Sequence, residues 1–260
     1  MEITFKNYKY HKDIINTTIY PSTIIGITGP NYKEFLNIFN IINKHTEIKI
    51  DGNRLTTKDV DYYKNKIVYI DNINYLETNK TVYDYLLSII NLYDIKVLNE
   101  YNKIMNALTI LGLNIDLNTN INDLTTSEKT LLTISTELLF NGEILILNEP
   151  YLGLDKINIK LVNIILNKLK DDYQKTIVLA SNNSNELYNY TEYMYFINGN
   201  KLQKEGTTEE LYENITFLER YNYEIPNSIK FISTIKDKGI KIDYKKDIRD
   251  IIKDIYKSVR

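Results

Sequence analysis

Continuous runs of apolar residues alternate along most of the chain with segments whose apolar residues lie three or four positions apart. The runs are rich in β-branched residues and bounded by turn residues, which predicts strands buried on both faces of a sheet. These runs are STIIGIT (22–28), KIVYI (66–70), EILILNEP (143–150) and KTIVLAS (175–181). Residues 2–10 instead alternate between apolar and polar, which predicts an exposed strand.

Helical spacing fills the intervals between the apolar runs. The predicted helices are 80–93, 96–112, 128–140 and 156–171, and a further one carries Phe35, Ile38, Phe39 and Ile42. Alternation of strands and helices predicts an α/β fold with a mostly parallel sheet covered on both faces. Residues 80–140 contain predicted helices and no clear strand. This pattern predicts a helical insertion between two halves of the sheet. Residues 193–206 predict a closing hairpin around Asn198-Gly199-Asn200.

The character of the chain changes near residue 216, where two amphipathic helices joined by a linker are predicted. We therefore expect a main domain over 1–215, with a helical subdomain at about 72–140. We expect residues 216–260 to form a small C-terminal helical appendage.

Composition excludes several classes of protein. Apolar residues make up 43% of the 260 residues, enough for a packed core, and the net charge of −2 gives no basic field for nucleic acid. Cysteine is absent and the only histidines are His11 and His45, so disulfides, thiolate sites and histidine clusters are excluded. The N-terminus lacks the pattern of a signal peptide, and no run approaches the ~18 apolar residues of a membrane span. We expect a cytosolic protein that reaches a membrane only through partners.

Short motifs follow one another at the carboxyl ends of predicted strands, where α/β proteins bind ligands. In chain order they are Gly29-Pro30-Asn31, Leu124–Glu128, Asn148-Glu149-Pro150, Gly153-Leu154-Asp155 and Asn182. Over residues 1–215 this series closely resembles the ATP-binding subunit of an ABC transporter. The resemblance implies a P-loop-type ABC ATPase fold with an added antiparallel β part. The ending, 225–260, looks like the tail of the ATPase subunits of energy-coupling-factor (ECF) importers, a tail that helps two such subunits pair.

The phosphate-binding loop departs from the family pattern. A working loop reads G-x-x-x-x-G-K-[ST], in which backbone N–H groups, a lysine and a hydroxyl hold the phosphates and magnesium. Counted from Gly29, the last three positions hold Glu34, Phe35 and Leu36, and alignment of the helices implies that about three residues are missing. Lys33 could approach an anion, but the adjacent Glu34 opposes this. A shortened turn that binds no ligand is the better interpretation.

Other nucleotide-binding positions are also altered. The resemblance places the magnesium-binding acidic residue at Asn148, which carries no charge, and a general base at Glu149, which is equally well a carboxylate in a polar cleft. The phosphate-sensing histidine falls at Asn182, whose amide cannot carry a proton near neutral pH.

Two further positions are assigned by the resemblance, and each has an alternative interpretation. The strand-end glutamine falls near Asn72, with Asp71 as an alternative. Tyr10 is the counterpart of the aromatic residue that stacks on adenine, although packing explains a tyrosine on an early strand more simply.

The signature segment, usually L-S-G-G-[QE], reads Leu124-Thr125-Thr126-Ser127-Glu128. Loss of both glycines makes close approach to a partner's nucleotide harder. Thr125 and Glu128 also have the spacing of a capping box at the start of a helix. We expect the capping role, and a role facing a partner's nucleotide stays open.

The turn Pro150, Gly153, Leu154 and Asp155 is retained, and in the family it lies at the interface between two subunits. The sequence therefore predicts a pseudo-ATPase in which ATP and Mg²⁺ are bound weakly or not at all. By resemblance it pairs with an intact ATPase paralogue beneath an integral membrane component of an importer, and it transmits motion through the loop near Asn72 and the helices of 80–120. Two alternatives remain: a divergent but active ATPase that uses Lys33 and Glu149, and a regulatory or assembly module outside transport.

Overall fold

The structure of the protein, a computed structural model, describes residues 1–10, 12–40, 47–56, 58–64, 66–70, 79–92, 95–140, 142–199 and 201–258. Asp71 and Asn72 lie outside these residues. Tyr10 is described as the last residue of a strand, but its side chain is not among the described parts. The proposed roles of these three residues stay predictions.

Strands and helices alternate along the described chain. The strands are β1 (Ile3–Tyr10), β2 (Asp13–Ile19), β3 (Ile24–Thr28), β4 (Glu47–Ile50), β5 (Asn53–Arg54), β6 (Ile67–Ile70), β7 (Ile144–Asn148), β8 (Thr176–Ala180), β9 (Tyr193–Asn198) and β10 (Lys201–Thr207). The helices are α1 (Tyr32–Phe35), α2 (Asn37–Asn40), α3 (Val60–Lys64), α4 (Val82–Leu92), α5 (Glu100–Ile110), α6 (Thr126–Leu139), α7 (Lys156–Asp171), α8 (Ser184–Tyr190), α9 (Thr208–Glu213), α10 (Ile215–Arg220), α11 (Asn227–Asp237) and α12 (Ile248–Ser258).

The main sheet has the order β10-β9-β3-β8-β7-β6 among the described strands. Five strands of this sheet run parallel to one another, in the order β9, β3, β8, β7 and β6. The edge strand β10 pairs antiparallel with β9. All residues of β3, β7 and β8 are buried. This agrees with their continuous apolar sequences, because a parallel strand packs against other elements on both faces. The expectation of an α/β fold with a mostly parallel sheet is confirmed.

A second, antiparallel sheet has the order β2-β1-β4-β5. Its apolar face packs with α1 and α2 against one side of the main sheet, in a core that includes Ile3, Phe5, Phe35 and Ile146. This sheet is the antiparallel part that the family resemblance implied. Of this sheet, the sequence pattern revealed only β1.

The helices between β6 and β7 form the insertion that the sequence predicted. Helices α4, α5 and α6 pack against one another and share a core with α7 on the other side of the main sheet. Helix α5 is shorter than the predicted segment 96–112. It begins only after Asn99, whose side chain accepts a hydrogen bond from the N–H of Asn102, and it ends before Gly112, which has a φ of 63°.

The helix predicted after β3 is divided. Helix α1 ends at Phe35 and α2 starts at Asn37, with Phe35, Ile38 and Phe39 buried. Ile42 lies outside the described residues.

The C-terminal part contains the two predicted amphipathic helices, α11 and α12, preceded by the short helices α9 and α10. Leu218 and Tyr223 pack into the core shared with the main sheet, whereas Ile232, Ile242 and Ile251 form a small separate cluster. The division at 215/216 stays a prediction. None of the helices in the described ranges is long and apolar enough to cross a membrane.

Candidate functional site

The carboxyl ends of three neighbouring strands bring several predicted site residues together. Strand β8 lies between β3 and β7, so the turn after β3 faces the ends of the other two strands. Gly29 follows β3, Glu149 follows β7, and Asn182 lies two residues beyond β8. The side-chain oxygen of Asn182 accepts a hydrogen bond of 3.3 Å from the N–H of Gly29. The edge of the sheet at which ligands bind in α/β proteins is therefore where the sequence placed it.

The turn after β3 is tight and its backbone is largely engaged within the protein. Gly29 has a φ of 120°, and a methyl group built on it would lie 1.9 Å from the carbonyl oxygen of Ile197. The N–H of Tyr32 donates to the carbonyl of Gly29 at 3.2 Å, and the N–H of Glu34 donates to that of Asn31 at 3.0 Å. Asn31 has a φ of 61°. These bonds make the segment a compact turn that leads directly into α1.

The side chain of Tyr32 fills the space between this turn and the end of β7. It is only 3% exposed. Its phenolic oxygen lies 2.6 Å from Oε1 of Glu149 and 3.0 Å from Oδ1 of Asn148. A phenol has one proton, so the shorter contact is the bond that it donates, and a carboxylate acceptor makes that bond a strong one.

Other donors complete the environment of Glu149. Ser181 donates its hydroxyl to Oε2 at 2.7 Å, and the N–H of Asn182 donates to Oε1 at 3.3 Å. The backbone N–H of Glu149 itself donates to the carbonyl of Ala180 at 2.8 Å. Both carboxylate oxygens therefore accept hydrogen bonds from the protein.

Two more carboxylates lie near Glu149. Burial raises the pKa of Glu186 to about 7, and the negative charges of Glu149 and Glu224 contribute to the increase. Glu224 accepts a bond of 3.0 Å from the N–H of Ser184, at the start of α8. This side of the site is therefore negatively charged, which opposes the approach of a phosphate.

Lys33, the basic residue that the sequence offered for an anion, follows Tyr32 in α1. Its side chain is exposed, as are those of its neighbour Glu34 and of Pro30 in the preceding turn. The structure thus brings Gly29, Asn148, Glu149 and Asn182 together around Tyr32, and leaves Lys33 on the surface.

The signature segment forms the predicted capping box. The side chain of Thr125 accepts a hydrogen bond of 3.3 Å from the N–H of Glu128. The Glu128 carboxylate in turn accepts one of 2.8 Å from the N–H of Thr125. Leu124 is buried beneath this helix start, whereas Thr126 is exposed and Ser127 is partly exposed. Side chains therefore accept hydrogen bonds from the N–H groups of Thr125 and Glu128 at the start of α6.

The turn after β7 lies beside this helix start. A methyl group on Gly153, whose φ is 79°, would be 3.4 Å from the side chain of Thr126. Leu154 is partly buried. Asp155 caps α7, because its carboxylate accepts hydrogen bonds of 2.9 and 2.8 Å from the N–H groups of Ile157 and Asn158. Asp155 therefore has a structural role whether or not it contacts another subunit.

Sequence reasoning missed Tyr32 and Ser181, the two hydroxyls on Glu149. Ser181 was detectable in principle, because it immediately follows a predicted strand adjacent to that of Glu149. Tyr32 was one of 23 tyrosines, and its position depends on the shortened turn.

Comparisons with known proteins point in one direction. No protein-family model matches the chain. A putative ABC transporter ATP-binding protein of Pyrococcus abyssi is 30% identical over 138 residues, which cover 53% of this chain and 49% of that protein. The energy-coupling factor transporter ATP-binding protein EcfA of Methanoculleus marisnigri is 24% identical over 88% of this chain and 85% of its own length. The cytochrome c biogenesis ATP-binding export protein CcmA of Reclinomonas americana is 31% identical over 159 residues, which cover 59% of this chain and 70% of that protein. The chain thus spans about half the length of the first relative and most of the other two.

Solved structures agree on the fold. CbiO1 of Clostridium perfringens, described as part of the ABC transporter complex CbiONQ, superposes with a TM-score of 0.71 over 89% of this chain and 98% of that one, at 18% identity. The fold and the arrangement of strand-end residues define an ATP-binding cassette. The chain belongs to the family of ATP-binding subunits of ABC transporters, and its relatives include the ATP-binding proteins of energy-coupling factor transporters. Family membership implies ATP and Mg²⁺ as ligands.

Proposed function

We propose that this chain is a cassette subunit without nucleotide chemistry of its own, which pairs with an intact ATPase paralogue to energise an ECF-type membrane importer. The bond between Tyr32 and Glu149 carries the proposal. A phosphate group at the end of β3 would need the space that the phenol fills, and a water molecule activated by Glu149 would have to compete with three protein donors for its carboxylate oxygens.

The backbone of the turn supports the same conclusion. A phosphate loop binds anions through N–H groups that point at the ligand. Here the N–H groups of Gly29, Tyr32 and Glu34 are hydrogen-bonded within the protein, and Pro30 has none. A triphosphate would gain few of the bonds that hold it in an intact loop.

Charge also disfavours a bound Mg²⁺–ATP. The hard cation prefers carboxylate oxygens, and Asn148 is neutral and buried. The neighbouring carboxylates Glu149 and Glu224, and Glu186 in its ionised form, repel the phosphates. Within the described residues, Lys33 forms no ion pair with any of them. The residues present do not fit the nucleotide, so we assign no catalytic step to this site.

Pairing with a paralogue follows from what is retained. A homodimer would combine two defective sites, whereas an intact partner would supply its own phosphate loop. The helix start at Leu124–Glu128 and the turn at Gly153–Asp155 lie side by side, where the partner's nucleotide would face this chain. The tail helices would support the pair. The complex would lie at the cytoplasmic face of the cell membrane, held there by the membrane component.

Calorimetric titration of the isolated chain with ATP and Mg²⁺ tests the nucleotide part of the proposal. We expect no saturable binding at concentrations that saturate the intact paralogue, which serves as the positive control. Saturable, magnesium-dependent binding would instead favour a divergent active subunit.

Co-expression with an intact ATPase paralogue from the same genome tests the pairing part. We expect a stable complex whose ATP turnover is unchanged by Glu149→Gln in this chain and abolished by the equivalent change in the partner. Loss of turnover from the change in this chain would refute the pseudo-ATPase assignment.

A further inference from the structure

Helix α7 presents a stripe of apolar side chains to solvent. Ile157, Leu161 and Ile164 are 78%, 40% and 65% exposed. Their spacing of four and three residues places them on one face of the helix. The opposite face, which includes Val162, Ile165, Leu166 and Leu169, is buried in the core, so α7 is already anchored without the exposed stripe.

The exposed apolar residues continue into the turn after β7, which in the family lies at the interface between two subunits. Leu152, which is 54% exposed, lies in the turn that leads into α7. The next residue, Gly153, lies beside Thr126 at the start of α6. An apolar surface thus extends from the edge of the signature segment along the first turns of α7.

We propose that Leu152, Ile157, Leu161 and Ile164, here named the α7 stripe, bind a paired cassette subunit. This inference rests on the proposed function and adds a contact surface to it. A stable interface buries about 800 Å² on each partner and involves roughly 20–30 residues per side. The signature segment and the turn after β7 together supply only a few. A second nucleotide bridging the two subunits is not expected, because Tyr32 fills this chain's own site. Apolar burial along α7 replaces the affinity that this nucleotide would provide.

Charge identifies the chemistry of the surface that covers the stripe. Lys156 and Lys160 flank it, both are exposed, and neither forms an ion pair within the part of the chain that the structure describes. The partner's surface is therefore apolar with acidic side chains at its rim. A second copy of this chain would present the same two lysines, so an acidic rim favours a different cassette subunit over a homodimer.

An affinity measurement between this chain and the immobilised intact paralogue tests the proposal. The double variant Ile157→Asp/Ile164→Asp places two charges in the contact, and we expect the dissociation constant to rise at least about tenfold. Leu92→Asp, which changes an exposed apolar residue on α4, is the matched control and should stay within about twofold. The single variant Ile157→Asn alters the most exposed member of the stripe, so it reports on the contact even if the double variant folds poorly. Lys160→Glu should also weaken the complex, and more strongly at low salt.

The outcomes separate the two proposals. If the unmodified chain binds the paralogue and both stripe variants bind equally well, the stripe is not a contact surface and the proposed pairing stands. If the unmodified chain does not bind the paralogue, both proposals fail. Weakening by the stripe variants, with unchanged binding of Leu92→Asp and unchanged circular dichroism, supports the stripe.

Discussion

The phenolic oxygen of Tyr32 lies 2.6 Å from a carboxylate oxygen of Glu149, although 117 residues separate the two positions. The bond joins the turn after β3 to the end of β7 across the intervening strand β8. Tyr32 is buried, and Glu149 is partly exposed to solvent. The carboxylate that an intact cassette would use on a water molecule is here a hydrogen-bond acceptor within the fold.

Tyr32→Phe should lower the free energy of unfolding by about 1.5 kcal/mol, because a partly buried bond to a carboxylate is lost without loss of ring volume. Tyr32→Ala should cost about 3–5 kcal/mol, since it also leaves a cavity. Urea denaturation measures both values. The exposed Tyr62 provides the control, and Tyr62→Phe should change stability by less than about 0.5 kcal/mol. Equal stability of the Tyr32→Phe variant and the unmodified protein would show that the bond contributes nothing.

Gly29→Ala should be among the most damaging changes in the turn, with an expected cost of about 3 kcal/mol or more. The added methyl group would overlap the carbonyl oxygen of Ile197, and the φ of 120° is unfavourable for alanine. Gly52→Ala separates the two causes, because Gly52 has a φ of 80° but no atom within 4 Å of the added group. We expect it to cost about 1 kcal/mol. Thermal unfolding of the two variants compares them, and similar losses would contradict a steric origin.

Asp155→Ala should destabilise the protein by about 1–2 kcal/mol, because two N–H groups of α7 lose their acceptor. Asp155→Asn keeps an acceptor oxygen in the cap and should cost only a few tenths of a kcal/mol. Chemical denaturation measures both. If the asparagine variant is stable but fails to bind the paralogue, the carboxylate has a role in pairing beyond the cap.

Glu186→Gln should alter stability in a pH-dependent way. The pKa of Glu186 is about 7 in the folded protein, above its ordinary value of 4.5, so the folded state holds the proton more tightly. Its contribution is fully present below about pH 4.5 and is lost as pH rises through 7. The glutamine variant should therefore match the unmodified protein near pH 4 and exceed its stability by about 1 kcal/mol at pH 8, because the carboxyl is only half-buried and solvent screens part of the effect.

Denaturation curves at several pH values measure this difference. Glu219→Gln, which removes an exposed carboxylate, controls for the change in net charge. A difference between the Glu186→Gln variant and the unmodified protein that does not vary with pH would contradict the assignment.

Elements with strong local patterns were predicted well. Helix α7 matches the predicted segment 156–171, because Asp155 caps its start, its buried face is continuous, and Lys168 and Lys170 occupy its last turn. The central strands β3, β7 and β8 were found from their uninterrupted apolar runs. Strands β2 and β4 were missed because pairing within the antiparallel sheet, more than local composition, holds them in place.

The candidate site was predictable only in part. Glu149 and Asn182 follow recognisable strands, so their proximity could be inferred from the topology of a parallel sheet. The contact between Tyr32 and Glu149 could not be inferred, because it depends on how far the shortened turn after β3 extends across β8. The exposure of Lys33 has the same origin, since the turn directs Tyr32 inward and its neighbour outward.

The capping box of α6 has a consequence for how this helix start responds to its surroundings. The Glu128 carboxylate is a competitor tethered to the amide it occupies, so its effective concentration is high and constant. Free anions in solution cannot displace it by mass action at ordinary concentrations. The N–H of Thr125 is therefore insensitive to phosphate levels in the cell, and only an anion held rigidly in place by a docked neighbour could take over that amide.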